Sequence, residues 1–389
     1  MINVLFIHHT KSIGGAAISM IKTIEFLDRS KFKPVVLLLK RSELANVLEE
    51  KNIEYLITSE KFYIKYYSFF SHYEPGYKWY DIFNLIPKSF CWILSRFHFS
   101  KKILKDVDFD IIHLNSSVLT DFLYAAKSKS KTVIHIREAI AKGYFGVRKS
   151  IMKRQIKRYA DKVIAISEDN STRLNLKNKT SVVYNFIEIL DKTELKVKSQ
   201  NNKSVLYVGG SSYIKGFYTL IDALDTLDKN VNIIFAGSYP SRNSFNGIKK
   251  YIPKYVKQRK ALQKMRSCKQ AVEIGFSNEI SQLIMDTEFL ISPFSVEHFS
   301  RPIIEAFANG KTAIGSNVEG MNEIIDHKVN GLIVQKNNPE ELANAINYLF
   351  KNQHLLNEYG KHGYSKALNL FSPNNVKKIE FIYQNLIVL

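Results

Sequence analysis

Short apolar runs alternate with helical patterns along nearly the whole 389-residue chain. Each run is bounded by turn residues, which indicates a buried strand, and apolar residues recur at helical spacing between most of the runs. Strands are predicted at residues 3–7, 35–39, 53–57, 111–114, 132–136, 162–166, 181–183, 204–208, 231–236, 271–274, 288–291, 312–315 and 331–334. This alternation predicts parallel, doubly wound α/β sheets with helices on both faces.

The length of the chain predicts two such domains, because a single hydrophobic core rarely serves so many residues. The polar stretch Asp191–Lys203 has the composition of a linker. We therefore expect a first Rossmann-like domain over residues 1–190, a second over 204–370, and a final helix over 374–389 that crosses back to the first domain.

Cysteine content and hydropathy predict a cytoplasmic protein. The two cysteines, Cys91 and Cys268, are far apart and form neither a disulfide framework nor a zinc motif. No apolar run approaches the length of about 20 residues that spans a bilayer. The apolar run Val4–Ile7 is too short for the core of a signal peptide.

A formal net charge of +20 predicts an anionic partner, either nucleic acid or an acidic membrane surface. Residues 61–105 hold eight Lys or Arg against two acids, interleaved with fifteen aromatic residues. This mixture is typical of a membrane–water interface, so we expect peripheral attachment to the inner membrane face. The alternatives are binding of single-stranded nucleic acid and an insertion that packs its rings internally. A second basic segment, residues 242–269, has ten basic residues and no acid.

The stretch from Phe289 to Gly310 predicts an anion site. An apolar strand ends at Ser292-Pro293, and a helix with Pro302 in its first turn follows after a short loop. The unpaired N–H groups and positive dipole at such a helix start attract anions. Glu297 lies in the loop and Glu305 inside the helix, so the two carboxylates flank this site. The alternative is a solvated loop carboxylate beside a surface helix residue.

A paired-glycine turn follows the first strand of each predicted domain, at Gly14-Gly15 in the first domain and at Gly209-Gly210 in the second. Glycines let backbone N–H groups approach a phosphate closely. The Gly14-Gly15 turn lacks the spaced glycine pattern of dinucleotide-binding dehydrogenases, so this turn alone is weak evidence.

The E-x7-E spacing with the segment IIEAFANGK resembles the signature of glycosyltransferase family 4. These are retaining, two-domain enzymes of the GT-B fold that transfer sugars from nucleotide donors. The resemblance implies that Glu297 contacts the donor sugar and that Glu305 binds the ribose hydroxyls. It implies that the backbone at Phe299, Ser300 and Arg301 holds the diphosphate. The likeness is strong over residues 204–334, moderate at both ends and absent from 61–105.

The family's V-G-R-x4-K-G motif supplies an Arg and a Lys that grip the diphosphate. Lys215 and Gly216 match this motif, but Gly210 stands in place of the Arg. Arg301 occupies a position where the commonest family pattern has an apolar residue, and we hypothesise that it supplies the missing charge. The alternative is that Arg301 forms a structural ion pair with Glu297 or Glu305.

The acceptor side departs from the family. The catalytic His of many members falls on Arg137, with Glu138 where Asp is common, and His135 lies two residues earlier on the same sheet face. An arginine there suits an anionic sugar or phosphate. His135 and Arg137 are therefore acceptor-side candidates, although a lone strand histidine is as often a satisfied core residue. Gly14 and Gly15 match a family turn that faces the donor diphosphate and the acceptor.

The resemblance implies a retaining hexosyltransferase-type glycosyltransferase of surface-polysaccharide synthesis, as for capsule or lipopolysaccharide. Its donor would be UDP-linked and its acceptor a glycan or a lipid-linked sugar. Glu297, Lys215 and Arg301 are the catalytic candidates. No cofactor or metal is expected, since no acidic cluster has metal-ligand spacing and GT-B enzymes need none. One alternative is a nucleotide-sugar epimerase on the same fold. The other is a non-catalytic nucleic-acid-binding protein, and the E-x7-E loop and Lys215 are evidence against this second alternative.

Overall fold

The computed structural model describes residues 1–9, 13–70, 82–140, 146–189, 203–245, 247, 251–277 and 279–388. The chain forms two compact units, one made of Met1–Phe186 with Pro373–Leu389 and the other of Ile187–Ser372. Most of the predicted linker, residues 190–202, and part of the aromatic segment, residues 71–81, lie outside the described residues.

The first unit is built on a seven-stranded parallel sheet with the order β3-β2-β1-β4-β5-β6-β7. Its strands are β1 (Ile2–His8), β2 (Phe32–Leu38), β3 (Tyr55–Ile57), β4 (Ile111–Leu114), β5 (Lys131–Ile136), β6 (Lys162–Ala165) and β7 (Thr180–Val182). The central strands are buried on both faces, which explains why their sequences are continuous apolar runs rather than alternating ones.

Helices connect these strands on both faces of the sheet, as parallel pairing requires. They are α1 (Gly15–Phe26), α2 (Glu43–Glu50), α3 (Lys61–Phe70), α4 (Ile82–Leu94), α5 (Ser100–Ile103), α6 (Leu123–Lys127), α7 (Val147–Tyr159) and α8 (Glu168–Leu174). A π-helical turn, Ser95–Phe99, joins α4 to α5.

The second unit contains a six-stranded parallel sheet with the order β10-β9-β8-β11-β12-β13. Its strands are β8 (Ser204–Val208), β9 (Asn232–Ala236), β10 (Ala271–Gly275), β11 (Phe289–Ser292), β12 (Ala313–Ser316) and β13 (Gly331–Val334). Its helices are α9 (Phe217–Ala223), α10 (Pro253–Ser267), α11 (Ile280–Met285), α12 (Arg301–Ala308), α13 (Pro339–Lys351) and α14 (Gln353–Leu370).

The last helix, α15 (Asn375–Val388), belongs to the first unit. Glu380 accepts a hydrogen bond from the backbone N–H of Asp28 at 2.7 Å. The hydroxyl of the buried Tyr383 lies 2.6 Å from Nδ1 of His113 in β4. The end of the chain is therefore part of the core that surrounds β1 and β4.

The predicted fold class is confirmed, and each of the thirteen predicted strands occurs within the described residues. The largest offset is in β2, which starts at Phe32 rather than at residue 35 and includes Pro34. The proline interrupts the sequence pattern without ending the strand, because β2 pairs with β1 from Phe32 onward.

A buried carboxyl group contacts two elements of the aromatic segment, α3 and the π-helical turn. Asp121, between β4 and α6, is fully buried. Its Oδ2 accepts a hydrogen bond from Ser95 Oγ at 2.5 Å and lies 3.4 Å from the Tyr63 hydroxyl. Burial raises the pKa of Asp121 to about 7. The π-helical turn and α3 thus both contact a carboxyl group that is mainly protonated below pH 7 in the folded protein.

We predict that the free energy of unfolding falls as the pH rises from about 4 to about 7. The pKa of Asp121 in the folded protein lies above its ordinary value, so this group's contribution is fully present below about pH 4 and is lost by about pH 7, where the folded state also ionises. The loss should approach about 1.4 kcal/mol per pH unit within this window and should level off above pH 7. Asp121→Asn cannot ionise and should flatten the dependence of the free energy of unfolding on pH, measured by urea titration between about pH 4 and pH 8.

The matched control is Asp108→Asn, which alters an exposed aspartate of the same unit and should keep the wild-type pH dependence. An Asp121→Asn profile as steep as that of the wild type would contradict the assignment.

Candidate functional site

The connection between β11 and α12 is folded as a closed loop at the carboxyl edge of the second sheet. Ser292, the last residue of β11, and Ser300, which precedes α12, are both buried, with their hydroxyl oxygens 3.0 Å apart. Pro302 occupies the first turn of α12, and no side chain caps its amide groups. These amides are therefore available to an anion.

Lys215 lies beside this loop, because the β8–α9 connection packs against it. The backbone N–H of Ser295 donates to the carbonyl oxygen of Ile214 at 3.0 Å. Gly216 has φ of 77°, and a β-carbon there would overlap the carbonyl oxygen of Pro293. Only glycine permits so close an approach with this backbone conformation. Lys215, between these two contacts, is held against the loop, where burial lowers the pKa of its ammonium group.

His298, next to Glu297, is a member of the site that the sequence did not single out. Its ring stacks on Phe294 with centroids 4.1 Å apart and an interplanar angle of 13°. Burial, with the nearby charge of Lys215, lowers its pKa to about 3. The imidazole is therefore neutral and can donate one hydrogen bond and accept another. In the sequence, the only indication for His298 was its position between the candidate residues Glu297 and Phe299.

Arg301 and Glu305 form an ion pair along α12. Arg301 Nε donates to Glu305 Oε1 at 2.8 Å, with both side chains largely buried. The pair has the i,i+4 spacing that places side chains together on one helix face. This contact is the structural ion pair that forms the alternative role for Arg301. The contact also fixes the carboxylate of Glu305, whereas Glu297 is partly buried within the loop.

The missing arginine at position 210 has a steric cause. Gly210 has φ of 55°, and a β-carbon there would lie 2.6 Å from the carbonyl oxygen of Ser238. A β-carbon at Gly209 would overlap the ring of Tyr207, whose hydroxyl donates to the Gly210 carbonyl oxygen at 3.2 Å. Both positions of the turn therefore require glycine, and an arginine cannot be restored there by substitution.

Arg137 is fixed at the carboxyl edge of the first sheet by two asparagines. Its Nε donates to Asn115 Oδ1 at 2.8 Å, and its Nη1 donates to Asn185 Oδ1 at 3.0 Å. Asn115 Nδ2 in turn donates to the carbonyl oxygen of Ala16 in the first turn of α1 at 3.1 Å. The guanidinium is thereby tied to the start of α1. Asn115, which no sequence pattern indicated, joins the two.

The Gly14-Gly15 turn begins α1 without a side-chain cap. A β-carbon at either glycine would meet no atom within 4 Å. Unlike Gly209 and Gly210, these glycines are not required by local packing. The structure places them in the first unit with Arg137, while Lys215 and the glutamates lie in the second.

His135 belongs to a buried chain of polar groups rather than to the edge of the sheet. Its Nδ1 lies 3.3 Å from Nε2 of His113, whose Nδ1 faces the hydroxyl of Tyr383 at 2.6 Å. Burial, followed by the charge of Arg137, lowers the pKa of both histidines well below the ordinary value, so both are neutral. This placement corresponds to the core alternative for His135.

Glu138 is also fixed by hydrogen bonds. Ser116 Oγ donates to Glu138 Oε1 at 2.7 Å, and Ser117 Oγ donates to Oε2 at 3.0 Å. Burial raises the pKa of the Glu138 carboxyl group.

Within the described ranges, no three His, Cys, Asp or Glu side chains are grouped as metal ligands would be. In the same ranges, no helix has the length and apolar content that a membrane span requires.

The fold is that of a known class of enzymes. The family model described as Glycosyltransferase Family 4 matches residues 13–189, and the one described as Glycosyl transferases group 1 matches residues 191–366. The chain belongs to the family 4 type of glycosyltransferases and has their GT-B fold, as the sequence resemblance implied.

Three relatives of this chain have sequence identities of 24 to 25% to it. An uncharacterized glycosyltransferase of Methanocaldococcus jannaschii is 25% identical over 301 residues, or 76% of this chain and 81% of the relative. The capsular polysaccharide biosynthesis glycosyltransferase CapH of Staphylococcus aureus is 24% identical over 83% of this chain and 84% of its own. A UDP-Gal:alpha-D-GlcNAc-diphosphoundecaprenol alpha-1,3-galactosyltransferase of Escherichia coli is 25% identical over 31% of each chain.

Among solved structures, HepE of Anabaena in complex with UDP and glucose has a TM-score of 0.74 at 20% identity. The likeness covers 99% of this chain and 100% of HepE. At this identity it shows the shared fold.

We predict that Gly216→Ala lowers both stability and nucleotide affinity by more than its backbone conformation alone would cost. Gly146 has nearly the same φ, 75°, but a β-carbon there would meet no atom within 4 Å. Both alanines pay the cost of the left-handed conformation, about 1 kcal/mol. Only Gly216→Ala also separates Lys215 from the loop. Thermal unfolding and UDP titration of the two variants measure the difference, and equal effects would contradict it.

Proposed function

We propose that this enzyme transfers a sugar from a UDP-linked donor, with retention of configuration, to a glycan or lipid-linked acceptor in surface-polysaccharide synthesis. The observation that carries the proposal is the loop of Glu297 and Glu305 with Lys215 packed against it. CapH, a capsule-synthesis relative, and HepE, which binds UDP, support the donor and the pathway class.

In this proposal the second unit stabilises the leaving diphosphate. The start of α12 supplies backbone N–H groups, and Lys215 supplies a positive charge in a buried setting where it acts strongly. Arg301 adds a second charge that can share its donors between Glu305 and phosphate oxygens, because guanidinium has five N–H groups. This cation replaces the one that the backbone excludes at Gly210.

The two carboxylates bind the remaining parts of the donor. Glu305, held by Arg301, accepts hydrogen bonds from the ribose hydroxyls, and Glu297 orients the transferred sugar. The neutral ring of His298 adds a hydrogen-bonding group without cancelling the charge of Lys215. Retention follows from attack on the face that the diphosphate leaves, and we assign no carboxylate as a covalent nucleophile.

The acceptor side is assigned to the first unit. Arg137, whose guanidinium is oriented by Asn115 and Asn185, suits a phosphate or a carboxylate of the acceptor. The Escherichia coli relative has a diphosphoundecaprenol-linked sugar in its name, which supports a lipid-linked acceptor for this chain as well. Such an acceptor is presented at the inner membrane face, where residues 61–105 would attach the enzyme.

A screen of nucleotide sugars for thermal stabilisation tests the donor, since a ligand that binds only the folded state raises the melting temperature. Transfer from the best donor, with the anomeric configuration of the product read by NMR, tests retention. A free-sugar product with no requirement for an acceptor would instead indicate an epimerase.

We predict different defects for the two glutamates. Glu305→Gln removes a charged hydrogen-bond acceptor for ribose and should weaken UDP affinity about 10- to 100-fold. Glu297→Gln should leave UDP affinity unchanged and lower turnover, because the Glu297 carboxylate contacts only the transferred sugar. Calorimetry with UDP and steady-state kinetics separate the two effects.

Glu340→Gln, in the exposed first turn of α13, is the matched control and should change neither quantity. Full UDP affinity in Glu305→Gln, together with full turnover in Glu297→Gln, would refute the site assignment.

We predict that Arg301→Ala lowers turnover by on the order of 10²-fold and that Arg301→Lys recovers little of it, because lysine cannot hold two oxygens in one plane. Arg266→Ala is the control. Arg266 forms a similar pair with Glu273, at 2.7 Å, on the exposed side of the same unit.

A double-mutant cycle between Arg301→Ala and Glu305→Gln separates the two roles of the arginine. If Arg301 acts on UDP only through Glu305, the affinity losses of the single variants will not add. Affinity losses that add only in part, with a further turnover defect when Arg301→Ala is added to Glu305→Gln, are the result expected for direct contact with the diphosphate. Unchanged turnover in Arg301→Ala would end the proposed role.

A further inference from the structure

The helix α4 and the π-helical turn after it carry a line of exposed apolar side chains. The exposed fractions are 70% for Ile86, 61% for Phe90, 48% for Ile93 and 55% for Phe97. Their spacings of four, three and four residues place them along one helix face. A contiguous apolar surface of this kind marks an interaction site rather than scattered surface residues.

The helix α7, which lies outside residues 61–105, adds a cationic surface. It contains six basic residues and no acid: Arg148, Lys149, Lys153, Arg154, Lys157 and Arg158. Val147, Ile151, Arg154 and Arg158 are all exposed and fall on one line at spacings of four, three and four residues. The first half of this line is apolar and the second half is basic.

Aromatic contacts join the two surfaces. The ring of Phe97 lies 6.0 Å from that of Tyr124 in α6, and Tyr124 lies 5.5 Å from Tyr159 at the end of α7. Arg96, in the π-helical turn, donates from Nη2 to the Tyr159 hydroxyl at 3.2 Å. These contacts bring the end of the α4 line beside the C-terminal end of α7 within one unit.

We infer that α4 and α7 together form a docking surface for a bilayer that contains anionic lipid. Apolar side chains of an interfacial helix enter the boundary between headgroups and acyl chains, while adjacent Lys and Arg meet anionic headgroups. The inference deepens the proposed function, since a lipid-linked acceptor would be presented on the same membrane.

The basic helix of the second unit is a weaker candidate for this role. The helix α10 also has six basic residues and no acid. However, Lys264 pairs with Asp225 at 2.6 Å, and Arg266 pairs with Glu273 at 2.7 Å. Its charge is therefore partly neutralised within the protein. This makes α10 a charge-matched control in the same chain.

The experiment is sedimentation of the full chain with vesicles of phosphatidylcholine alone or with phosphatidylglycerol, at low and high salt. Arg154→Gln with Arg158→Gln should lower the partition coefficient for the anionic vesicles about tenfold or more and should reduce its salt dependence. Phe90→Asn with Ile93→Asn should lower partitioning into anionic vesicles at both salt concentrations. UDP affinity should stay unchanged in both, so a docking failure is distinct from a failure of the donor site.

The controls are Lys254→Gln with Lys260→Gln on α10, and Phe276→Asn, which removes an exposed ring of the second unit. Both should bind vesicles as the wild type does. The inference is overturned if the wild type does not sediment with anionic vesicles at low salt, or if the α7 variant sediments as well as the wild type. It is also overturned if an oligonucleotide displaces the protein and the α10 variant loses as much binding as the α7 variant, which would favour a nucleic-acid surface.

Discussion

The proposed donor site depends on a single close approach between two backbones. Gly216 has no β-carbon, so the β8–α9 connection can rest against the carbonyl oxygen of Pro293. That contact holds Lys215 beside the loop that carries Glu297. Parallel strands bring all their following loops to one edge of the sheet, but this glycine sets how closely the two loops meet. A charge held so close to the loop acts in a poorly hydrated setting, where it is strongest.

The absence of an arginine at position 210 shows how the backbone limits the chemistry. The turn at Gly209 and Gly210 is packed on Tyr207 below and on Ser238 beside it. A β-carbon at Gly210 would lie too close to the Ser238 backbone, and Lys215 and Arg301 are the two cations that we propose for the diphosphate. The ion pair between Arg301 and Glu305 then links the charge to the proposed ribose-binding carboxylate.

Several buried polar groups of the first unit have neutral hydrogen-bond partners. Asparagines orient Arg137, and the histidines of β4 and β5 are uncharged because burial disfavours their protonated forms. Burial also raises the pKa of Asp121 to about 7, so this carboxyl group stays protonated below neutral pH.

The sequence alone determined the fold class, the strands of both sheets, and the position of the loop with Glu297 and Glu305. These features are local, since burial pattern and turn residues define a strand within a few positions. Tertiary structure decided which residues act together. Tyr383 and His113 meet across 270 positions of sequence, and Asn115 joins Arg137 to α1 across 99. The steric exclusion at Gly210 and the junction of α4 with α7 likewise come from segments that only folding brings into contact, and no local pattern encodes such contacts.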